Sequence, residues 1–310
     1  RLGGIHYVGH LSGRGNRLSS KGRLETGAGN ADIQLSKNGK NIQAKIATKG
    51  IALDRILANK TFGQVATTIE VKGNKDHLVA KGEISRFDYN KYSFRNIRLD
   101  GQYNHGIVKG LASIDDPNIR VDIEGNYAMK GNKYAINTHI DHLQPSILGV
   151  KMADKDYSLD DIDLSANNQS SDSYLDLEAP FMSLHARGQY NLSTLVSSIQ
   201  NMIAEKLPTL PGIKKTKAKG DNDFTLQGNI YSTEVLNKIL GIPLAISSPI
   251  HINGNISEQS NELNLYLSAP LFSYNGKPFH NGNVELTTLD NALSLEARIT
   301  QGMPYEKAPE

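Results

Sequence analysis

The feature that most constrains this chain is a two-residue alternation between apolar and polar side chains. Over positions 119–124, Ile119, Val121 and Ile123 alternate with charged residues. Successive side chains of a β-strand point to opposite sides, so this period is typical of a strand with one apolar and one solvated face. Similar runs recur along the chain between turns rich in Gly, Asn, Asp and Pro. The pattern predicts a mainly all-β protein with an antiparallel sheet of roughly 20 short strands.

Four segments interrupt the alternation and predict short helices. They are residues 51–63, 142–157, 192–207 and 233–244. The third has the clearest helical period, because its apolar residues form one stripe of an amphipathic helix that stops at Pro208.

Apolar triplets in three of these segments suggest an internal repeat. They begin at Ile56, Ile147 and Ile239, which are 91 and 92 residues apart. A repeat would make residues 1–310 one elongated fragment with approximate modules 1–50, 51–140, 141–232 and 233–310. Chance agreement of three triplets is the alternative explanation.

Composition and charge exclude several classes of protein. The 34 Lys plus Arg residues and 32 Asp plus Glu residues give a formal charge of +2, which is too balanced to indicate a nucleic acid partner. There is no cysteine, so disulfides and thiolate metal sites are excluded. No apolar run reaches the roughly 18 residues of a membrane span. The start at Arg1 and the polar final residues are typical of a piece of a longer protein.

The residue types that carry chemistry form no recognisable site. His139 and His142 offer two imidazoles and Asp141 a carboxylate, but no further metal ligand lies nearby in sequence. Residues 160–163 lack the Gly and terminal Glu of a calcium loop. Residues 27–29 are better explained as a hairpin turn than as a nucleotide loop. No nucleophile elbow is present. The chain is therefore predicted not to be an enzyme, with no catalytic residue, no metal and no cofactor.

The apolar faces of the predicted strands have no obvious cover. The helical segments are too short to cover such a sheet, yet an apolar face must be hidden against something. A sheet that curls into a trough would hold an acyl chain, because exposing about 16 carbons to water costs roughly 12–13 kcal/mol. The residues predicted to line the trough are Ile33, Leu35, Ile42, Ile46, Ile69, Val71, Ile97, Leu99, Ile119, Val121, Ile123, Ile136, Ile140, Leu263, Leu265, Leu267, Leu286 and Leu295.

Three further expectations concern this trough. Arg or Asp in place of Val121 should block lipid passage with little loss of folding, and the turn at 116–118 is predicted to be a rim turn with no chemistry of its own. Four basic residues after the amphipathic helix are expected to contact lipid headgroups, with a solvated loop as the alternative. They are Lys214, Lys215, Lys217 and Lys219.

The sequence resembles the TamB family of AsmA-like, repeating β-groove proteins, a group that includes bridge-like lipid transfer proteins. The resemblance lies in the segments 86–101, 116–118, 119–125, 142–150 and 182–207. It implies an elongated, curled antiparallel sheet that forms a U-shaped hydrophobic groove, with a few short helices. It also implies phospholipid transport between the inner and outer membranes, in the periplasm, by a longer protein anchored in the inner membrane. Docking on an outer-membrane barrel protein would involve regions outside residues 1–310.

Two other functions fit the same pattern. One is a scaffold or chaperone module in outer-membrane protein translocation and assembly, whose exposed strand edges hold unfolded segments. The other is a surface β-solenoid or adhesin whose interior is filled by its own side chains.

Overall fold

Frequent turns divide the chain into short antiparallel strands. The computed structural model describes residues 4–169, 173–191, 194–206, 216, 220–289 and 292–303. Strands account for 66% of the structure and helices for 10%, and the 20 strands belong to one open sheet. The predicted mainly antiparallel β-fold with a few short helices is therefore confirmed.

The chain divides into two compact units, which are described separately below. Unit 1 comprises residues 1–151 and 156–161, and unit 2 comprises residues 152–155 and 162–310. The strands of unit 1 are β1 (His6–Arg14), β2 (Arg17–Thr26), β3 (Gly29–Asn38), β4 (Asn41–Ala52), β5 (Phe62–Gly73), β6 (His77–Tyr89), β7 (Tyr92–Phe94), β8 (Ile97–Asn104), β9 (Ile107–Asp116), β10 (Ile119–Ala128) and β11 (Lys133–Leu143). The four proposed modules stay a prediction.

The strands of unit 2 continue the same meander. They are β12 (Leu159–Asn167, whose first residues belong to unit 1), β13 (Tyr174–Ala179), β14 (Met182–Gln189), β15 (Asp223–Ile230), β16 (Leu244–Ile246), β17 (Ile250–Ser257), β18 (Glu262–Tyr274), β19 (Lys277–Leu289) and β20 (Ala292–Gln301). Most strands pair with the next strand along the chain, but β15 pairs with β17 because β16 joins the far end of β18.

The helical elements lie within the four predicted segments. They are helix α1 (Leu53–Leu57), a 3₁₀ turn (Pro145–Leu148), helix α2 (Leu195–Lys206) and a π-helical turn (Leu236–Leu240). Three of them stop at a residue with positive φ: Ala58, Gly149 or Gly241. A left-handed residue breaks the helical hydrogen-bond pattern, which explains why these elements are short. None of the described helices has the length and apolar character needed to span a membrane.

The strands of unit 1 end alternately at two edges, which we call the turn end and the core end. The turn end consists of residues 14–17, 37–41, 72–77, 104–107 and 128–133. Adjacent turns there are linked by backbone hydrogen bonds, for example from Gly39 N to Asn16 O (3.0 Å) and from His105 N to Asp76 O (2.9 Å). The hairpin turn between Asn38 and Asn41 is among them. These links keep the turns in register along one edge.

The core end is closed by a small hydrophobic core. Phe94, Ile97, Ile119, Val121 and Ile147 are each at most 9% exposed and pack together. Ile147 comes from the 3₁₀ turn, so this element covers the end of the sheet. Register shifts in four strand pairs of unit 1 also lie toward this end, and such bulges bend strands.

Asp116 ties the core end together. Its carboxylate is 2% exposed and accepts hydrogen bonds from the Tyr92 hydroxyl and from the backbone N–H groups of Arg95 and Asn118 (3.1 Å each). Burial, followed by the hydrogen bond to Asp116, raises the pKa of Tyr92 to about 12. Asp116 therefore anchors the core end through its buried carboxylate, whereas Pro117 of the same turn is exposed. That this turn has no functional chemistry of its own stays a prediction.

In unit 2, a polar network fixes α2 beside the strands. Asn222 is 1% exposed, and its Nδ2 donates to Ser198 Oγ on α2 (3.1 Å) and to Glu258 Oε2 (2.7 Å). Burial would raise the pKa of Glu258, but hydrogen bonds from Ser198, Asn222 and Gly220 outweigh it and hold this pKa below its ordinary value. The network explains why a half-buried carboxylate is tolerated here.

Candidate functional site

Cross-strand registers place the apolar residues of unit 1 on one face of the sheet. Directly paired residues of antiparallel strands point to the same side. The central line of such pairs, the middle row, crosses nine strands without interruption. It consists of Gly22, Ile33, Ile46, Ile69, Gly82, Leu99, Ala112, Ile123 and Thr138. Eight strand spacings of about 4.8 Å make this row roughly 38 Å long.

This apolar face is shielded, whereas the opposite face is exposed. On β6, Leu78 and Ala80 are half-buried, while their neighbours Val79 and Lys81 are exposed. The helical elements described in unit 1, α1 and the 3₁₀ turn, both lie in connections at the core end. Within unit 1, the shielding therefore comes from side chains of the same face, as in a sheet that bends toward it. Ile46, Leu99 and Ile123 nevertheless remain 41%, 39% and 37% exposed.

A furrow without large side chains runs beside the middle row, on the side of the turn end. Ala80 pairs with Gly101, Gly101 with Gly110, and Gly110 with Gly125, so four adjacent strands carry only small residues in one line. We call this line the glycine furrow. It is bounded by Val71 on β5 and by Ile136 on β11. Its three strand spacings give a length of roughly 14 Å.

Larger side chains flank parts of the furrow, although its core side is small at Gly82 on β6 and Ala112 on β9. Leu99 and Ile123 lie on its core side, and Leu78, Tyr103 and Tyr127 lie on its turn side. The flanking rows are four residues apart along each strand, roughly 13 Å. Adding a Cβ at Gly101 would bring it no closer than 3.8 Å to any other residue, so the space above this glycine is open. The furrow is thus about as long as the hydrocarbon layer of one membrane leaflet, which is roughly 15 Å thick.

Every predicted lining residue in unit 1 lies on the apolar face, but they are not equivalent. Ile97, Ile119 and Val121 are buried in the hydrophobic core of the core end, with Ile140 packed against it. These side chains contact protein, so a charge at Val121 would disrupt the core, contrary to the expectation that folding would be little affected. The others lie along the middle row, the furrow line or the turn side: Ile33, Leu35, Ile42, Ile46, Ile69, Val71, Leu99, Ile123 and Ile136.

The predicted lining residues of unit 2 also share one face. Leu265 and Leu286 pair directly, and Leu286 pairs with Leu295 at the edge of the unit. Leu267 is half-buried on the same face. Leu263 is 5% exposed and therefore buried, whereas Leu295 is 67% exposed. Sequence reasoning missed the further apolar residues that complete this face: Leu164, Leu175, Leu177, Leu184, Phe224, Leu226, Ile252 and Ile256.

The opposite face of unit 1 carries cross-strand ion pairs. Lys45 Nζ lies 2.6 Å from Glu70 Oε1, and this hydrogen bond lowers the pKa of Glu70. Lys81 Nζ lies 3.0 Å from Asp100 Oδ2. Two shallow depressions on this polar side of β2–β6 have volumes of about 440 and 840 Å³. Their many polar lining groups make them unsuitable for an apolar ligand.

Asp141 and His142, two of the residues considered for metal binding, are engaged in other contacts. Asp141 Oδ2 accepts a hydrogen bond from Arg120 Nε (2.5 Å), which lowers the pKa of Asp141. His142 Nδ1 lies 2.6 Å from Asp160 Oδ1. The four lysines predicted to contact headgroups, at positions 214, 215, 217 and 219, lie outside the described residues.

The glycines of the furrow were also missed, although the sequence contains a signal for them. Gly101 and Gly110 lie equally far from the two-residue turn at 105–106, and Gly110 and Gly125 lie equally far from the two-residue turn at 117–118. Equal distances from a tight turn imply direct pairing.

Comparisons of the chain with family models, curated proteins and solved structures find no match.

Proposed function

We propose that this chain carries phospholipid, without catalysing a reaction, along the apolar face of unit 1. The observation that carries the proposal is the glycine furrow, a line of small residues across four adjacent strands of the apolar face that is open above Gly101. A face of this kind needs an apolar partner, because exposed contiguous apolar surface is unfavourable in water. The acyl chain of a phospholipid is narrow, apolar and of matching length.

The energetics favour a face that is continuous across many strands. Each methylene kept out of water contributes about 0.8 kcal/mol, so a chain that stays in contact with the face loses little while it moves along it. The middle row, at roughly 38 Å, is longer than one acyl chain in a leaflet of about 15 Å. A lipid could therefore shift along the face without leaving it.

The resemblance to the TamB family supplies the cellular setting of this proposal. In this setting, the chain is the periplasmic part of a longer protein anchored in the inner membrane, and lipid moves between the inner and outer membranes. An outer-membrane barrel protein would be bound through regions outside residues 1–310.

Photo-cross-linking tests the proposal. A photoreactive side chain would replace Ile123, which is on the apolar face, or the adjacent Glu124, which is on the opposite face of the same strand. After mixing the purified chain with phospholipid vesicles and irradiating it, mass spectrometry should find a lipid adduct for position 123 and none for position 124. Absence of an adduct at position 123, together with no bound phospholipid in native mass spectrometry, would refute lipid carriage.

One observation favours the scaffold or chaperone alternative. Strand β1 pairs on one side with β2, and all nine of its residues are exposed. In the described part of the chain it is an edge strand, and unpaired backbone groups on such an edge are a template for strand addition. If this function is the correct one, cross-linking from position 123 or from Val8 should capture unfolded outer-membrane polypeptide in place of lipid.

A further inference from the structure

The turn end of unit 1 has a large excess of positive charge. Its five segments contain two arginines and six lysines but a single carboxylate, Asp76. Their net charge of +7 exceeds the +2 of the whole chain. The positive charge is therefore concentrated along one edge of the sheet.

The core end of the same unit is electrically balanced. Its connecting segments, residues 25–30, 52–62, 86–96 and 115–119, contain five basic and five acidic residues. The asymmetry is therefore not a general property of the connections between strands in this unit.

Several cations at the turn end have no carboxylate partner. No ion pair of the described residues involves Lys37, Lys40, Lys75 or Lys130, and all four are exposed. On the polar face, by contrast, Lys45 pairs with Glu70. The positive charge at the turn end is thus available to a ligand.

This charge lies beside the apolar face. Lys37 pairs directly with Ile42 and Leu18, so its Cβ points to the apolar side. Tyr103 and Tyr127 stand between the glycine furrow and the turns, a position that suits an aromatic ring with one apolar and one wet end. From Gly101 to the turn is four residues, or roughly 13 Å. The furrow runs parallel to this edge, so a lipid whose chain lies in it would keep its headgroup within roughly 13 Å of the turns.

We propose that the turn end of unit 1 selects phospholipids with a net negative headgroup over zwitterionic ones. This inference rests on the proposed lipid carriage and adds the class of lipid to it. The lysines attract the headgroup charge while the furrow holds an acyl chain, so that both parts of the lipid have a complementary surface.

The test compares two variants with four substitutions each. The first replaces lysines of the turn end (Lys37→Gln, Lys40→Gln, Lys75→Gln, Lys130→Gln). The control replaces four exposed lysines elsewhere in unit 1 (Lys21→Gln, Lys60→Gln, Lys91→Gln, Lys109→Gln). Both remove the same charge. Each purified full chain is incubated with vesicles of equal phosphatidylglycerol and phosphatidylethanolamine content, and the bound lipids are quantified by mass spectrometry.

The wild-type chain and the control variant should both be enriched in phosphatidylglycerol. The turn-end variant should bind a similar total amount of lipid, with a ratio of the two lipids lowered by roughly tenfold. Lipid bound in the vesicle ratio by the wild-type chain, or an equal effect of the two variants, would overturn the selection while leaving lipid carriage intact. Binding of no lipid by the wild-type chain would overturn the proposed function and this inference with it.

Discussion

Filling the glycine furrow at one position is the sharpest test of where a lipid chain would bind. Gly101 is suited to this because it has extended backbone geometry and a new Cβ would meet its nearest atom, Lys109 O, at 3.8 Å. At Gly110, by contrast, a Cβ would lie 2.9 Å from Asp100 O, so any substitution would also strain the backbone. Gly101→Leu therefore blocks the furrow with little effect on the fold.

The size of the effect follows from the dimensions of the furrow. A leucine side chain would occupy about one strand spacing of roughly 4.8 Å, which displaces about three methylenes of a bound chain. At about 0.8 kcal/mol for each methylene, the loss is about 2.4 kcal/mol, or roughly 50-fold weaker binding. The free energy of unfolding should change by less than about 1 kcal/mol, because replacing a glycine that has compatible φ is neutral or slightly stabilising.

Binding of a fluorescent phospholipid analogue to the purified chain measures this effect, and urea unfolding measures the stability. Gln102→Leu is the matched control, since it places the same side chain on the opposite face of β8. The control should bind as the wild-type chain does. If Gly101→Leu folds normally and binds lipid with unchanged affinity, the furrow is not the lipid site.

Two further predictions concern the core end. Val121→Asp buries a carboxylate in the hydrophobic core and should lower the free energy of unfolding by about 3 kcal/mol or more. Ile46→Asp, at a half-exposed site, should lower it by about 1 kcal/mol. Urea denaturation measures both losses, and equal losses would contradict the different burial of the two sites. The folded-state pKa of Tyr92, about 12, lies above its ordinary value of 10.0, so its contribution is fully present below pH 10 and is lost as the pH rises toward 12. Allowing for partial exposure, the loss in the free energy of unfolding is about 2 kcal/mol. The stability of the wild-type chain should therefore decline more steeply between pH 9 and pH 12 than the stability of Tyr92→Phe. Parallel declines of the two proteins would refute this prediction.

The strands and the apolar face were predictable from the sequence because both depend on local patterns. Alternation specifies which side chains share a face, and tight turns specify register. Thus Ile33, Ile46 and Ile69, predicted to line one face, are indeed paired directly across three strands. No long-range information was needed for this result.

The closure of the core end was not predictable by the same reasoning. Alternation gives the same signal for Val121 and Ile123, yet the first is 8% and the second 37% exposed. The difference arises from Phe94 and Ile147, which reach the core from a short strand and a 3₁₀ turn outside the alternating pattern. Which part of an apolar face is covered depends on such tertiary contacts.

Gly101 illustrates a second limit. The dipeptide Asp-Gly is frequent in turns, but Asp100-Gly101 lies in the middle of β8. Opposite Gly110, it leaves an open line across the face, and Asp100 contacts Lys81 on the other side. The functional interpretation of this glycine required the pairing of strands, which turn propensity alone misses.

Pairing between strands that are neighbours in sequence has a consequence for how such a chain folds and changes in length. Because β2 to β6 each bond to the strand before and the strand after, most contacts form over short loops, and assembly can start at any hairpin and spread from it. Insertion or loss of a whole hairpin would preserve the side of every remaining residue. Natural selection can therefore adjust the reach of such a protein two strands at a time, by about 10 Å per step, without redesigning its interior.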